Sequence, residues 1–476
     1  MNASTSRDAS TSTDAGTSTV GKTVLISGAS VAGPALALWL HRYGFAPTVV
    51  ERAPELRPGG YKVDVRGDAI EVLARMGVLD EVRAHSTDME GGSYVDSAGR
   101  TIGELPAEIF GGRVEGDDEI MRGDLARILY ERTRDDVEYL FGDSIATLED
   151  LGDDPEDPDG VLVTFDSGLR RRFDLVVGAD GMHSHTRRLA FGDESRYKRF
   201  LGAYISIFTA PNHLGLRQWE TYHALPGKLV SVYSSAGRDD AKNLFVFAEP
   251  AELPLHHRDT AAQKRHLAER FAGDGWELPR LLAHAGDAED FYFDSIALIE
   301  MDRWSRGRVV LIGDAAHCAS PASGQGTGLA LTGAYVLAGE LAAAGGDHRV
   351  AFTRYEELMR PAVTLNQKVA EGFAKEMTVD RKWKIAARMF MVRTLPRTPW
   401  KNLIAKKIRE QIQRAANAVE LRDYTAYART DRTTAVTDTG TGTAAVTTST
   451  PTAPAATVAT SPSGRPDRSA LAAAAR

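Results

Sequence analysis

The chain has 476 residues, 43% hydrophobic and 26% charged, ordinary proportions for a globular protein and enough apolar surface for more than one domain. Lys and Arg number 57 against 65 Asp and Glu, a formal net charge of -8 that speaks against a nucleic-acid partner. The single cysteine, Cys318, excludes internal disulfides and thiolate metal clusters and matches the usage of a reducing cytoplasm.

Residues 1–20 are rich in Ser, Thr, Ala and Asp and lack the basic start and apolar stretch of a secretory signal. They read as a disordered tail, and no apolar run anywhere is long enough to span a bilayer. From Lys22 to Arg52 the pattern is strand, tight turn, helix, strand: Thr-Val-Leu-Ile, a glycine turn, Pro34 to Tyr43, a stop at Gly44, then Thr-Val-Val. Asp68 to Met76 reads as a helix ending at Gly77, and Leu125, Ile128 and Leu129 place another helix after Arg122. The acidic run from Glu149 to Asp159 suits a solvated loop, followed by a strand hairpin of Val161 to Phe165 and Phe173 to Val177.

From Tyr204 to Phe247 four alternating, aromatic-rich segments predict a separate, mostly antiparallel sheet. A helix over Ala261 to Phe271 follows, and Arg308 to Ile312 returns to a buried-strand pattern that enters a glycine-rich turn and a long Ala/Leu helix. Between Lys382 and Arg414 basic residues interleave with Trp383, Ile385, Met389, Phe390, Val392 and Trp400. A C-terminal helix packed over both domains accounts for this pattern, Pro396 and Pro399 interrupt it, and membrane contact is not expected. Residues 431–476 contain almost no large apolar side chains and read as a second disordered tail.

The fold class expected is α/β: a Rossmann-like domain in three pieces (21–80, 106–190 and 291–345), an inserted antiparallel sheet domain in two (81–105 and 191–290), and C-terminal helices over 346–430. The first turn, Gly28-Ala-Ser30-Val-Ala32-Gly33, is a dinucleotide fingerprint with serine at the usual second glycine. Gly28 permits the tight turn, small Ser30 lets backbone approach a pyrophosphate, Gly33 lets helix and strand pack closely, and the helix N-terminus attracts the anion. Glu51 stands about 20 residues further on, placed to accept from a ribose 2′-hydroxyl and to repel a 2′-phosphate. With Ala32 and Arg52 these residues form a candidate site for the ADP half of FAD or NAD.

Two further turns end apolar strands: Gly178-Ala-Asp180-Gly181-Met-His183-Ser184, and Gly313-Asp314-Ala-Ala-His317-Cys318-Ala-Ser-Pro321-Ala-Ser-Gly324-Gln-Gly326-Thr327-Gly328. Three such elements in this order resemble the single-component FAD-dependent aromatic hydroxylases, the family of para-hydroxybenzoate hydroxylase, and are closest in pattern to its tetracycline-inactivating members; the resemblance covers Thr23 to Leu341. It implies an FAD-binding domain, a substrate domain on the inserted sheet, and NADPH or NADH as co-substrate. It further implies oxygenation of an aromatic or polyketide-like small molecule by O2 through a flavin C4a-hydroperoxide.

By the same resemblance Asp314 binds the ribityl chain, while Pro321 and Gly324 lie by the isoalloxazine and substrate. Gly326 and Thr327 open the helix aimed at the flavin, and Asp180 shapes the turn near the pyrophosphate. Arg122 and Asp64 contact FAD, and Arg57 serves the nicotinamide co-substrate. No residue receives a catalytic acid or base role: His317 suits turn hydrogen bonding as well as chemistry, Cys318 suits packing, and His183 and His185 lack metal-site spacing. An FAD-linked reductase or oxidase, and a non-catalytic flavin-binding protein, remain open alternatives. A cytoplasmic monomer or weak homodimer is expected.

Overall fold

The computed structural model describes residues 21–429 apart from 58, 108–113, 150–159, 395–397 and 399–400. Both expected tails, the acidic run beyond Glu149, and Pro396, Pro399 and Trp400 lie outside the described residues.

Thr23–Ser27 is apolar on both faces, the composition of a strand covered on both sides, and it sits within a six-stranded sheet. Parallel neighbours Ala46–Glu51 and then Glu138–Phe141 lie to one side of it; Leu175–Gly178 and then Val309–Leu311 lie to the other, and a short antiparallel strand, Ser305–Arg306, closes that edge. The chain builds outward in one direction and then reverses, which opens a crevice at the carboxyl ends of the central strands. The helix Ala32–Arg42 and the long helix Gly326–Ala343 pack on this sheet and are buried over most of their lengths. Gly77 caps Asp68–Met76 in the left-handed conformation, as the Met-Gly boundary predicts.

The second sheet has seven strands in the order Tyr292–Ile299, Lys198–Pro211, Asp240–Ala248, Lys228–Ser234, Trp219–Leu225, Gly91–Val95 and Thr101–Pro106. All neighbours are antiparallel except Trp219–Leu225 with Gly91–Val95. Alternation gives it two unlike faces. Tyr204, Phe208, Phe245, Phe247 and Phe293 pack under the helices Thr260–Arg270 and Leu278–Asp287. Ile205, Ile207, Leu244, Val246, Tyr222 and Tyr292 point the opposite way, toward Tyr61, Ala322 of the third turn, and Phe373 and Met377 of the helix His348–Met377.

Two local readings change. Phe173 to Val177 is not one hairpin strand: Arg170–Phe173 pairs with Val161–Phe165 in a small three-stranded sheet, and Leu175–Gly178 belongs to the six-stranded one. Asp174 makes the switch, its carboxylate accepting from the backbone and hydroxyl of Thr23 at 2.7 and 2.8 Å. The second sheet also continues past residue 290, because Tyr292–Ile299 pairs with Lys198–Pro211. Among the described residues no helix is long and apolar enough to cross a membrane.

Candidate active site

The three glycine-rich turns emerge side by side from the carboxyl ends of adjacent parallel strands. Ala179 donates to the Ser27 carbonyl at 2.8 Å, and Ile312 donates to the Gly178 carbonyl at 2.9 Å, so each turn is tied to the next. Gly28 has φ +109°, and a Cβ there would stand 2.6 Å from the Ala179 oxygen. At Gly33 a Cβ would meet the Gly28 oxygen at 1.9 Å, so only glycine permits this turn to close on its helix. A Cβ on Gly313 would touch Ala32 at 3.6 Å, which places the third motif against the fingerprint helix.

Glu51 accepts the Ala29 amide on one oxygen and the Ala53 amide on the other, each at 2.9 Å. The carboxylate thus holds the fingerprint turn to the end of its neighbouring strand, and each oxygen keeps a further lone pair. Asp180 is engaged within its own turn, accepting from Ser184 at 2.5 Å and from the backbone and hydroxyl of Thr186 at 2.9 Å. Arg187, fully buried, donates to the Met182 carbonyl, to Glu194 and to the Ala315 carbonyl, and so staples the second turn to the third.

Asp314 opens to solvent at the floor of a protein-walled cleft. Although the residue is exposed, desolvation by the surrounding protein pushes its carboxyl above the usual range, and the field of the Arg122 guanidinium opposes that shift. A Cβ on Gly326 would lie 3.8 Å from Asp314 Oδ1, so the carboxylate sits beside the N-terminus of the Gly326–Ala343 helix. Asp64, in an ion pair with Arg66 at 2.8 Å, lies 3.5 Å from the Cβ position of Gly324, which has φ +66°. The Arg122 backbone donates to the Tyr61 carbonyl, and Tyr61 packs 5.9 Å from Tyr292. Asp64, Arg122, Asp314, Gly324 and Gly326 therefore share one cleft with two tyrosines.

The remaining predicted positions lie around it. Ser30 is half-buried in the turn just before its helix, Thr327 is half-buried in the first turn of its helix, Pro321 is half-buried in the third turn, and Ala32 is buried. Arg52 and Arg57 are exposed after Glu51. His317 is directed away from the cleft: it is buried against Trp304 with ring centroids 4.5 Å apart, with Nε2 3.3 Å from the Tyr355 hydroxyl, and burial pulls its pKa down to about 3. A neutral packing histidine fits these surroundings better than an acid or base. Burial also drives the Cys318 thiol well above its ordinary range, which leaves it an inert packing group.

Sequence reasoning missed two clusters. Lys62 Nζ lies 2.7 Å from Glu220 and 3.4 Å from Glu119, both carboxylates buried, beneath the Tyr233 ring. An acid in the alternating strand Gln-Trp-Glu220-Thr-Tyr was the available signal. His183, in the second turn, bonds Glu194 through Nδ1 at 2.9 Å and Asp294 through Nε2 at 3.1 Å, with Tyr292 donating to Asp294 at 3.3 Å. His257 stacks on its ring at 4.5 Å.

Burial lowers the His183 pKa, but the two carboxylates outweigh it and hold the imidazolium up to about 9, above its ordinary 6.5. A raised folded-state pKa stabilises fully below about pH 6.5, and the contribution is lost as pH rises through about 9. The melting temperature is expected to fall across that window, and His183→Gln is expected to flatten the fall. Parallel melting curves for both proteins at stepped pH check this; an unchanged slope in the variant would remove His183 as its source.

A family profile described as an FAD binding domain matches residues 22–363. The chain belongs to the FAD-binding domain family. It is 48% identical over 348 residues to an uncharacterized protein of Mycobacterium tuberculosis, a match covering 73% of this chain and 92% of that one. It is 41% identical over 374 residues to a flavin-dependent monooxygenase of Legionella longbeachae, covering 76% and 94% respectively. The crystal structure of tetracycline destructase Tet(55) superposes with a TM-score of 0.72 at 39% identity, covering 85% of this chain and 99% of that one. This protein is accordingly an FAD-dependent flavoprotein monooxygenase. The residues present suit the cofactor, since the backbone cradle at Gly28 and Gly33 has no room for a Cβ and an acidic group and an arginine face the helix end beyond it.

Proposed function

We propose that this enzyme uses NAD(P)H and O2 to place one oxygen atom on a planar aromatic or polyketide-like molecule. The supporting observation is the shared cleft: three strand-end turns meet, with Asp314 and Arg122 at the start of the Gly326–Ala343 helix, directly opposite a sheet face bearing Tyr222, Leu244 and Tyr292. Similarity to the tetracycline destructases supports a polycyclic antibiotic-like compound.

Bound FAD supplies acceptance of a hydride from the nicotinamide and activation of O2. The chain supplies the rest. Glu51 keeps a lone pair for a ribose hydroxyl, while Gly28, Ser30, Ala32 and Gly33 present backbone to the pyrophosphate, with Arg52 and the Asp180 turn at its border. Asp314 accepts from the ribityl hydroxyls. The helix end at Gly326 and Thr327 would favour negative charge on the cofactor's ring, and Arg122 and Asp64 would hold that ring in place. Pro321 and Gly324 form the wall between cofactor and substrate. Tyr61, Tyr222 and Tyr292 offer flat surfaces to a planar substrate and keep water away from the reacting atoms. Arg57 is the proposed contact for the co-substrate. On this proposal the enzyme works in the cytoplasm, as a monomer or weak homodimer.

The test is oxidation of NADPH by the FAD-loaded protein under 18O2, against a panel of phenols and tetracycline-type polyketides. One labelled oxygen in the product is expected. Turnover without oxygen, or label found only in hydrogen peroxide across the panel, would favour a reductase or oxidase instead.

A further inference from the structure

Residues 381–414 carry eleven Lys or Arg against one Glu, in a chain whose formal charge is -8. They include the helices Lys382–Thr394 and Lys401–Ala416. Packing uses one side of the first helix. Val392 is buried against the Gly103 backbone, Ile385 and Met389 are half-buried, and Arg388 bonds Glu376 at 2.6 Å. The opposite side is apolar and exposed. Trp383 is 64% exposed, Phe390 70% and Met391 49%, with exposed Ala386 and Ala387 between them at the i, i+3/i+4, i+7 spacing of one helical stripe. Leu403 of the second helix is 69% exposed, so four of the seven exposed large apolar side chains among the described residues fall in this segment. Lys382 and Lys384 border the stripe, Arg381 is exposed just before the helix, and Lys406 and Lys407 are exposed beside Leu403.

We propose that this helical pair docks the enzyme on a bilayer surface containing anionic phospholipid. A cationic segment around an exposed Trp, Phe, Met and Leu stripe matches a layer of negative headgroups over hydrocarbon. A second copy would set the same positive surface against itself in a two-fold contact. Nucleic acid would satisfy the charges and leave the apolar stripe in water. Because the first helix packs on the edge strand Thr101–Pro106, docking brings that edge of the substrate sheet to the lipid. Docking of this kind requires neither the substrate nor the reaction proposed above.

The test is co-sedimentation of the FAD-loaded full-length protein with vesicles of phosphatidylcholine and with vesicles of equimolar phosphatidylcholine and phosphatidylglycerol. Binding is expected only to the second and is expected to weaken as salt is raised. Lys382→Gln with Lys384→Gln should weaken it on the order of tenfold or more. Phe390→Ser should weaken it too, and all these variants should keep wild-type flavin absorbance and NADPH oxidation without vesicles. No binding to anionic vesicles overturns the proposal, as does binding unchanged in both variants. Preference for duplex DNA over vesicles, or self-association through this segment with no lipid binding, also overturns it.

Discussion

A Gly33→Val protein should emerge from gel filtration colourless while keeping its helical and sheet content. The added side chain begins at a Cβ only 1.9 Å from the Gly28 oxygen, and that oxygen cannot retreat because Gly28 already stands against Ala179 of the second turn. Relief requires the fingerprint helix to move off its strand, which pulls the helix N-terminus away from the pyrophosphate position. Forced overpacking of this kind costs about 3 kcal/mol or more, equivalent to roughly a hundredfold in affinity for FAD. Gly237→Ala is the comparison: its φ of +69° is also left-handed, but nothing lies within 4 Å of the new carbon, so the yellow complex should survive. Flavin absorbance and circular dichroism on both proteins decide the matter. A yellow Gly33→Val protein with full FAD content would refute the placement of the cofactor on this turn.

The second large effect concerns the second sheet. Lys62→Met is expected to lower stability by about 3–5 kcal/mol, since it strips the cation from between two buried carboxylates. Glu220 would lose its partner at 2.7 Å and Glu119 its partner at 3.4 Å, with side-chain exposures of 4% and 5% that leave little room for water to replace it. Adding Glu220→Gln to Lys62→Met should restore a substantial part of the loss, because one of the stranded charges disappears. Denaturant unfolding of the two single variants, the double variant and the parent measures the coupling. Strict additivity would show that Lys62 and Glu220 do not act on one another.

Much of the nucleotide-binding half was legible. Each of its three turns follows a short apolar strand, and the glycines sit where backbone must approach backbone. Asp174 was not legible, because Phe-Asp-Leu-Val-Val reads as one strand unless the bond from its carboxylate to Thr23 is known. The second sheet shows a different limit. Period-two alternation separates Phe208 and Phe245 from Ile207 and Leu244, but it does not say which set faces the neighbouring domain, and the aromatic set turned out to pack under helices instead. Lys62, Glu119 and Glu220 come from three distant segments, so only the folded chain reveals their meeting. Along Lys382–Thr394 apolar residues occupy both sides, and composition cannot distinguish the side that packs from the side left open.

Neighbouring strands of the six-stranded sheet come from Thr23–Ser27, Leu175–Gly178 and Val309–Leu311, with two strands of the substrate sheet threaded between the first and second and the other five between the second and third. A ribosome must therefore release more than two-thirds of the polypeptide before the last turn can seat against the first. Until then Leu175–Gly178 offers a bare parallel edge, and pairing across such sequence separations is slow and exposed to aggregation. Yield during overproduction should accordingly depend on temperature and chaperone supply, and fragments ending before Gly326 should be insoluble, however intact their first fingerprint.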